Sequence, residues 1–215
     1  MAVYILIHSP LYHKDPKWYK SILNIEIPEN FKVDYFFSYY HEVPPKLNKD
    51  GDYDPTPLNV NLPVKMNRAR EIALNGKYDA ILNVEDDTIV PKTVLEDLWN
   101  APFDVSGALY RLRKIKYYNT PICARPINET RWLNDHEAKT LEYVECSLVA
   151  FGCTLIHRRV FEKIPFYMDG QYCNELKKEG FKMGVVTKCR CGHVDRNGDI
   201  MWVFPEDKEQ FRWLL

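Results

Sequence analysis

The chain lacks any apolar run of the roughly 20 residues that a helix needs to span a bilayer. It also lacks an excess of either charge, since its 215 residues include 29 Lys and Arg against 30 Asp and Glu. A chain so close to neutral has no general electrostatic attraction for DNA or RNA, and we expect no nucleic-acid partner. The apolar stretch 2–8 has neither a basic leader nor a small-residue cleavage site, which favours a buried strand over a signal peptide. We therefore expect a cytoplasmic protein without a transmembrane segment.

Cysteine is sparse and scattered, with six residues in a chain too large to need disulfides for its stability. We expect these cysteines to be reduced thiols. One group differs, because Cys189, Cys191 and His193 alternate along the chain and Cys173 precedes them. Thiolates and imidazoles could hold zinc, although this spacing is not that of a standard zinc finger. The sequence leaves zinc binding open.

Short apolar runs alternate with helical periodicity in the first half of the chain. Strands are predicted at residues 3–8, 33–37, 79–84 and 104–110. Helices are predicted at residues 16–25, at residues 64–75 and after Pro91. Residues 41–63 contain five prolines together with Asn, Asp and Gly, which predicts a long loop. The order of elements favours an α/β fold with a mostly parallel sheet, in a single domain 1–215.

The second half of the chain is less regular. Residues 111–145 are predicted to form loops with short antiparallel pieces, and 144–157 a single strand in which Gly152 marks a close approach of two backbones. Further helices are predicted at 158–164, 170–179 and 206–215, and a further strand at 183–187.

Three acidic residues, Glu85, Asp86 and Asp87, directly follow the strand predicted at 79–84. Crowded carboxylates repel one another unless a cation lies between them. Residues two apart in an extended segment point to the same side, so Glu85 and Asp87 are expected to face one site while Asp86 faces away. Such oxygen ligands suit Mg²⁺ or Mn²⁺ with substrate phosphates completing the shell. The alternative is a solvated turn in which Asp87 or Thr88 caps the next helix.

The stretch 78–91, together with Ala69 and Arg70, resembles the core of family 2-type glycosyltransferases of the GT-A fold. That core has an Ala-Arg segment on a helix, an apolar strand, an Asp-x-Asp motif and a helix begun by proline. Three later stretches are similar to the family in the same order: 105–111, 151–161, and 169–173 followed by 180–181 and 191–193. The resemblance implies a mostly parallel central sheet flanked by helices, with an antiparallel strand. It also implies a nucleotide-sugar-binding half at 1–110 and an acceptor and catalytic half at 111–215.

The resemblance also implies roles for the acidic residues. Asp87 would bind the metal directly, Glu85 would contact the ribose or bind through water, and Asp86 would belong to the nucleotide-sugar site. His193 would be a further metal ligand or a phosphate contact, and an imidazole ligand favours Mn²⁺ over Mg²⁺. The alternative is that His193 is a histidine with ordinary hydrogen-bond partners, or a member of the zinc group. The sequence departs from the family in having Glu85 as the first acid of the motif.

Asp169 is the candidate catalytic base, which would take the proton from the acceptor hydroxyl and give inversion at the anomeric carbon. It stands after Met168, where the family often has two adjacent acids. A free Asp has a pKa of about 3.9, so partial burial would be needed to make Asp169 a better base. The alternative is that Asp169 only caps the helix predicted at 170–179.

The nucleotide base is expected near the end of the first strand, at His8, Ser9 and Pro10. Arg70 would reach the pyrimidine or the phosphates, or would be an exposed arginine on a helix. The basic residues Arg111, Arg113, Lys114 and Lys116 would help to bind phosphates or an anionic acceptor, or form a solvated loop. The segment 210–213 is similar to the acceptor motif of the family, but we interpret Phe211 and Trp213 as core residues.

The sequence thus predicts a metal-dependent, hexosyltransferase-like enzyme that moves a sugar from a nucleotide-diphospho-sugar, with a UDP-sugar favoured, to a glycan, protein or lipid acceptor. A nucleotidyltransferase is an alternative, although such enzymes usually have a glycine-rich phosphate loop near the first strand and residues 1–20 contain no glycine. An inactive nucleotide- or sugar-binding module is another. The donor, the acceptor and the oligomeric state cannot be derived from the sequence.

Overall fold

The structure is a computed structural model that describes residues 2–12, 15–42, 55–112, 121–195 and 197–214. Within these ranges the strands are β1 (Val3–Pro10), β2 (Phe31–Ser38), β3 (Ala80–Val84), β4 (Thr88–Ile89), β5 (Val105–Leu109), β6 (Ala124–Pro126), β7 (Tyr143–Val149), β8 (Cys153–His157), β9 (Met183–Arg190), β10 (Gly192–Val194) and β11 (Ile200–Met201). The helices in the same ranges are α1 (Pro16–Leu23), α2 (Pro55–Asn75), α3 (Val94–Trp99), α4 (Asp135–Thr140), α5 (Arg158–Phe161), α6 (Asp169–Lys178) and a terminal 3-10 helix (Pro205–Leu214). Among these helices, none has the length and apolar character needed to cross a membrane.

Eight strands form the central sheet in the order β2-β1-β3-β8-β5-β9-β7-β6. Strands β1, β2, β3, β5 and β9 all point the same way, and β8 runs antiparallel between β3 and β5. At the far side β7 is antiparallel to β9, and β6 is antiparallel to β7. The predicted fold class is therefore confirmed: a mixed α/β fold with a mostly parallel central sheet, flanking helices and an antiparallel strand.

Strand β1 shows how the sheet is buried on both faces. Leu6 packs against the face covered by α2, whereas Ile5 and Ile7 pack with Trp18 and Ile22 on the face covered by α1. Burying each such side chain contributes about 1.5–3 kcal/mol to folding. Strands covered on both faces read as continuous apolar runs, which is why the parallel strands could be recognised in the sequence.

The loop predicted at 41–63 is wrong for residues 55–63, which form the first turns of α2; residues 43–54 lie outside the described residues. Prolines are tolerated in the first turn of a helix, where the missing N–H has no partner to lose. Pro63 lies inside the helix, and the packing of Leu62 and Met66 against the central sheet outweighs its low helix propensity.

The single strand predicted at 144–157 is also wrong. The chain forms β7 and β8, which are separated by a turn at residues 150–152. Strand β7 pairs with β9, and β8 inserts between β3 and β5. The residues from Leu148 to Ile156 that contain the turn are mostly apolar and buried, so composition alone could not reveal it. The helix predicted at 64–75 begins earlier, at Pro55, and the helix predicted at 206–215 is a 3-10 helix. The other predicted strands and helices lie within a few residues of the expected bounds.

The carboxyl ends of β1, β3, β5 and β9 meet at one edge of the sheet. A second sheet, in the order β11-β10-β4, lies where the chain leaves β3. Its antiparallel pairing places His193 of β10 opposite Thr88 of β4. Ligands of open α/β sheets bind at this carboxyl edge, and the acidic segment lies there.

Candidate active site

The acidic segment 85–87 forms a tight turn at the end of β3. The Glu85 amide donates to Gly152 O at 2.8 Å, and the Thr88 amide donates to Glu85 O at 2.9 Å. Helix α3 begins only at Val94, after Thr93, so the interpretation of Asp87 or Thr88 as its cap is wrong. The acids are thus held in the turn itself, ahead of the helix.

Asp86 and Asp87 are buried and contact different partners. Asp86 is 1% exposed, and its carboxylate accepts a hydrogen bond from the Tyr12 amide, beyond the end of β1. Asp87 is 8% exposed, and its Oδ2 lies 3.4 Å from Nε2 of His193. The Val194 amide also donates to Asp87 O at 2.7 Å, which fixes β10 beside the acidic turn.

The second ring nitrogen of His193 determines what faces Asp87. Nδ1 lies 2.6 Å from the carbonyl oxygen of Arg111. A carbonyl oxygen only accepts, so Nδ1 carries a hydrogen and Nε2 of the neutral ring presents its lone pair to the Asp87 carboxylate. Two acceptors at this distance repel unless a cation or a proton lies between them. Histidines that bind metals typically donate their other N–H to a carboxylate or a carbonyl in this way.

The donor set of Asp87 and His193 suits a divalent ion. A carboxylate oxygen and an imidazole nitrogen are both ligand types for divalent ions, and at 3.4 Å apart the two atoms could contact the same ion. The described ranges contain no group of three or more His, Cys, Asp and Glu side chains that could hold a metal. Water and phosphate oxygens would therefore have to supply the remaining ligands.

The cysteines near His193 do not form a zinc site with it. The thiol of Cys191 makes hydrogen bonds with Cys153 and Cys189, and burial holds its pKa well above the ordinary value. Cys173 Sγ lies 3.6 Å from the carbonyl oxygen of Val149. These protonated, buried thiols pack in the core, and all six cysteines are free thiols.

Asp169 is partly buried and is the first residue of α6. The residue before the helix is Met168, so the interpretation of Asp169 as the helix cap is wrong. The Phe151 amide donates to its Oδ2 at 3.3 Å. Burial raises the pKa of Asp169 to about 6, and the Phe151 hydrogen bond partly opposes that rise. The carboxylate therefore accepts a proton more readily than an ordinary Asp.

Tyr110 lies near both Glu85 of the acidic segment and Asp169. Its hydroxyl oxygen accepts a hydrogen bond from the Gly152 amide at 2.9 Å, and its ring meets that of His193 edge to face at 5.3 Å. Burial, together with the charges of Glu85 and Asp169, holds the pKa of Tyr110 well above its usual value. A Cβ on Gly152 would lie 2.5 Å from the Tyr110 ring, so the close neighbour at this glycine is a side chain and not the second backbone that was predicted.

His8, Ser9 and Pro10, predicted to bind the nucleotide, are all buried at the end of β1. His8 Nδ1 lies 2.8 Å from Asn83 Oδ1, and Nε2 lies 2.9 Å from Ser38 Oγ. Burial lowers the pKa of His8 to about 3, so the ring is neutral. The Ser9 hydroxyl donates to Val84 O. His8 and Ser9 thus join β1 to its neighbours below the surface, and a direct nucleotide contact stays a prediction.

Three residues that were not predicted lie closer to the surface at this end of β1. Lys65 is 2% exposed, donates to Leu11 O at 2.9 Å and has its ammonium 3.8 Å from the centre of the Tyr12 ring. Burial lowers the pKa of Lys65 to about 8, although the nearby Asp86 charge opposes the shift. His41 packs against Tyr12 at 5.1 Å. In the sequence, only Lys65 could have indicated this cluster, because it is a charged residue among the apolar positions of the helix predicted at 64–75.

Two polar atoms in this cluster have no hydrogen-bond partner in the part of the chain that the structure describes. They are the Tyr12 hydroxyl and Nδ1 of His41, both buried. Buried polar groups in proteins nearly always have a partner. A ligand with donors and acceptors would supply one here.

Arg70 does not behave as an exposed helix arginine, so that alternative is wrong. Its Nε donates to Phe161 O, and its Nη2 donates to Glu162 O at 3.2 Å. The guanidinium thus binds carbonyls at the end of α5, where a positive charge is favourable. A contact between Arg70 and the nucleotide stays a prediction.

Arg111 also has structural partners. Its Nη2 donates to Val203 O at 2.9 Å and to Asp135 Oδ1 at 2.7 Å. The other basic residues of this predicted cluster, 113, 114 and 116, lie outside the described residues. At the end of the chain, Phe211 is buried and stacks on Trp202 at 4.7 Å, which confirms its interpretation as a core residue.

No protein-family model matches the chain, and no curated protein matches it. Among solved structures, A197 from STIV aligns with a TM-score of 0.59 at 14% sequence identity, over 94% of this chain and 94% of A197. S. aureus TarS 1-349 in complex with UDP aligns with a TM-score of 0.45 at 13% identity, over 100% of this chain and 64% of TarS 1-349. HddC from Yersinia pseudotuberculosis aligns with a TM-score of 0.43 at 12% identity, over 97% of each chain. At such identities the likeness to A197 concerns the fold alone.

Proposed function

We propose that this chain is a glycosyltransferase that uses a divalent cation, Mn²⁺ or Mg²⁺, to bind a nucleotide-diphospho-sugar and transfers the sugar to an acceptor hydroxyl. The observation that carries the proposal is the pair formed by Asp87 Oδ2 and His193 Nε2, 3.4 Å apart at the carboxyl edge of the sheet. Both side chains are almost buried, and whenever the His193 ring is neutral its Nδ1–H faces Arg111 O, so that Nε2 turns a lone pair towards the carboxylate. A cation resolves that repulsion.

The diphosphate would lie against this pair. When bound there, a divalent cation supplies positive charge that stabilises the departing diphosphate. Two protein ligands leave most of its shell to phosphate oxygens and water, as is usual for Mg²⁺-type sites in enzymes that bind phosphates. Glu85 is next to this pair in sequence and partly exposed, which suits a contact with the ribose or with a metal-bound water.

The nucleoside would extend towards the end of β1. Tyr12 and His41 offer aromatic surfaces, and each has a buried polar atom without a partner among the described residues. Lys65 holds the Tyr12 ring from the inner side at 3.8 Å. Pairing these polar atoms with a nucleobase or ribose would satisfy groups that are otherwise costly to bury.

Asp169 would act as the base. With its pKa raised to about 6, Asp169 is mostly ionised at neutral pH and is a stronger base than an ordinary Asp. The acceptor hydroxyl loses its proton to Asp169, its oxygen bonds to the anomeric carbon, and the bond from that carbon to the diphosphate oxygen breaks. Attack opposite the leaving group inverts the anomeric configuration, and the nucleoside diphosphate departs.

The proposal is tested by nucleotide-sugar binding and turnover. UDP-, GDP- and dTDP-sugars are screened by thermal shift with and without Mn²⁺, because a ligand that binds the folded state raises its stability. Release of the nucleoside diphosphate from the best donor is then measured for the wild type and for Asp169→Asn. We expect Mn²⁺-dependent binding in both proteins and slow donor hydrolysis only in the wild type. Binding without any turnover would instead indicate an inactive binding module.

A nucleotidyltransferase is separated from a glycosyltransferase by the bond that is broken. A glycosyltransferase releases a nucleoside diphosphate from the donor, whereas a nucleotidyltransferase acts on a nucleoside triphosphate and releases pyrophosphate. We expect UDP release and no pyrophosphate. Pyrophosphate release from UTP and a sugar phosphate would overturn the proposal.

A further inference from the structure

The turn at residues 150–152 connects the groups of the proposed active site through its main chain. The carbonyl of Gly152 accepts from the Glu85 amide at 2.8 Å, and the Phe151 amide donates to Asp169 Oδ2 at 3.3 Å. The Ala150 amide donates to Cys123 O at 3.1 Å, and the Gly152 amide donates to the hydroxyl of Tyr110 at 2.9 Å. The placement of both Glu85 and Asp169 therefore depends on one short segment.

Tyr110 holds this turn from the other side of the site. It is 3% exposed, its ring contacts His193 at 5.3 Å, and its carbonyl accepts from the Cys123 amide at 3.0 Å. The fit is tight, since a Cβ on Gly152 would lie 2.7 Å from the Tyr110 hydroxyl oxygen. The Tyr110 side chain thus contacts both His193, the proposed metal ligand, and the 150–152 turn, which orients Asp169, the proposed base.

We propose that Tyr110 is a positioning residue, whose hydroxyl fixes the 150–152 turn and through it keeps the Phe151 amide on Asp169. The effect of Tyr110 on catalysis rests on the proposed function. Its effect on the pKa of Asp169, through the chain of hydrogen bonds, can be measured without turnover. Removing the hydroxyl leaves the buried Gly152 amide without its partner, so the turn shifts to recover one. Asp169 then loses the hydrogen bond that favours its ionised form.

The groups that face Asp169 determine the direction in which its pKa shifts when the Phe151 hydrogen bond is lost. These are the amides of Phe151 and of Asp169 itself, the Tyr110 phenol, and the thiols of Cys123 and Cys173. Burial raises the pKa of Cys123 to about 12 and that of Cys173 to about 11, so both thiols stay neutral where Asp169 titrates. The Phe151 hydrogen bond lowers the pKa of Asp169, so its loss raises that pKa.

The test compares Tyr110→Phe with Tyr172→Phe. Tyr172 is a matched control because it is a buried phenol that packs on Phe151 at 5.2 Å, while its hydroxyl has no hydrogen-bond partner among the described residues. The carboxyl carbon of Asp169 is followed by ¹³C NMR from pH 3 to 9 in the wild type and both variants. Thermal unfolding confirms that each variant is folded at the temperature of the titration.

We expect Tyr110→Phe to raise the Asp169 pKa by about half a unit or more, and Tyr172→Phe to leave it unchanged. Turnover by Tyr110→Phe should fall about 10-fold, with the acid limb of its pH profile moved to higher pH and UDP affinity within about 2-fold of the wild type. An unchanged Asp169 pKa in Tyr110→Phe, or an equal shift in both variants, overturns the inference whatever happens to turnover. If the wild type itself releases no UDP from any donor, the proposed function fails, and the NMR titration still decides the role of Tyr110.

Discussion

Nε2 of His193 lies 3.4 Å from Oδ2 of Asp87, and Nδ1 of the same ring lies 2.6 Å from the carbonyl oxygen of Arg111. Strand pairing between β4 and β10 enforces the contact, because His193 stands directly opposite Thr88. Folding therefore brings together an imidazole nitrogen and a carboxylate oxygen, two kinds of atom that bind divalent metal ions.

Asp87→Asn tests the cation at this pair. The amide keeps the shape of the side chain but loses the negative charge that would bind a divalent ion. We expect Mn²⁺-dependent affinity for UDP to fall at least about 10-fold, and UDP binding in EDTA to stay unchanged, by calorimetric titration. Glu71→Gln is the control, since that carboxylate is exposed in a surface ion pair with Arg68. Equal losses of affinity in the two variants would contradict the assignment.

Asp169→Asn should make the protein more stable while abolishing transfer. The pKa of Asp169 is raised to about 6 in the folded state, so the folded protein holds this proton more tightly than the unfolded chain does. Its stabilising effect is present below the unfolded pKa of about 3.9 and is lost as the pH rises to 6. At pH 7.5 we expect Asp169→Asn to raise the free energy of unfolding by about 1–3 kcal/mol, and at pH 4 to change it little.

Urea denaturation at the two pH values measures this difference. Glu175→Gln, on the same helix, is the control for a general charge effect, because its carboxylate is at the surface and paired with Lys178. A variant that is less stable than the wild type at pH 7.5 would show that Asp169 serves the fold rather than the chemistry.

His8 predicts a loss of stability in acid. Burial lowers its pKa to about 3, so between pH 6.5 and about 3 the unfolded chain binds a proton that the folded protein excludes. The free energy of unfolding should fall in this window by up to about 1.4 kcal/mol per pH unit. At pH 7 the His8→Gln variant should be less stable than the wild type. Between pH 6.5 and about 3 its free energy of unfolding should fall less steeply than that of the wild type. His136→Gln, at an exposed histidine, should reproduce the wild-type slope.

Lys65→Met should weaken nucleotide binding without unfolding the protein. Methionine fills a similar volume but removes the ammonium that lies on Tyr12 and donates to Leu11 O. Without it, the segment that connects β1 to Asp86 loses its anchor, and we expect about 10-fold weaker UDP binding with the unfolding midpoint changed by only a few degrees. Lys163→Met, at an exposed lysine, is the control. UDP affinity equal to that of the wild type would exclude a role for Lys65 in forming this end of the site.

The parallel strands and the position of the acidic segment could be predicted because each rests on local sequence. Residues 80–84 are buried on both faces of the sheet and are apolar apart from Asn83, and the acids begin directly after them. The start of α1 could also be predicted from local sequence, since Pro16 occupies its first position and Asp15 caps it. Signals of this kind need no knowledge of which strands become neighbours.

The rest of the site depends on tertiary pairing that local sequence does not encode. The first turns of α2 were missed because a count of prolines says nothing about the face that Leu62 and Met66 bury. Tyr110 was read only as the end of a strand, and its contact with Gly152 exists because β8 inserts between β3 and β5. Lys65 acquires its surroundings only when α2 packs beside the end of β1.

The central claim is that Asp87 and His193 hold a cation against the diphosphate of a sugar donor. Anomalous diffraction from crystals grown with Mn²⁺ and UDP tests it most directly, with data collected above and below the manganese absorption edge. We predict one strong manganese peak within about 2.5 Å of both Asp87 Oδ2 and His193 Nε2, with the phosphates of UDP as further ligands. UDP bound at the carboxyl edge with no manganese at these two residues, or manganese bound elsewhere, would contradict the account.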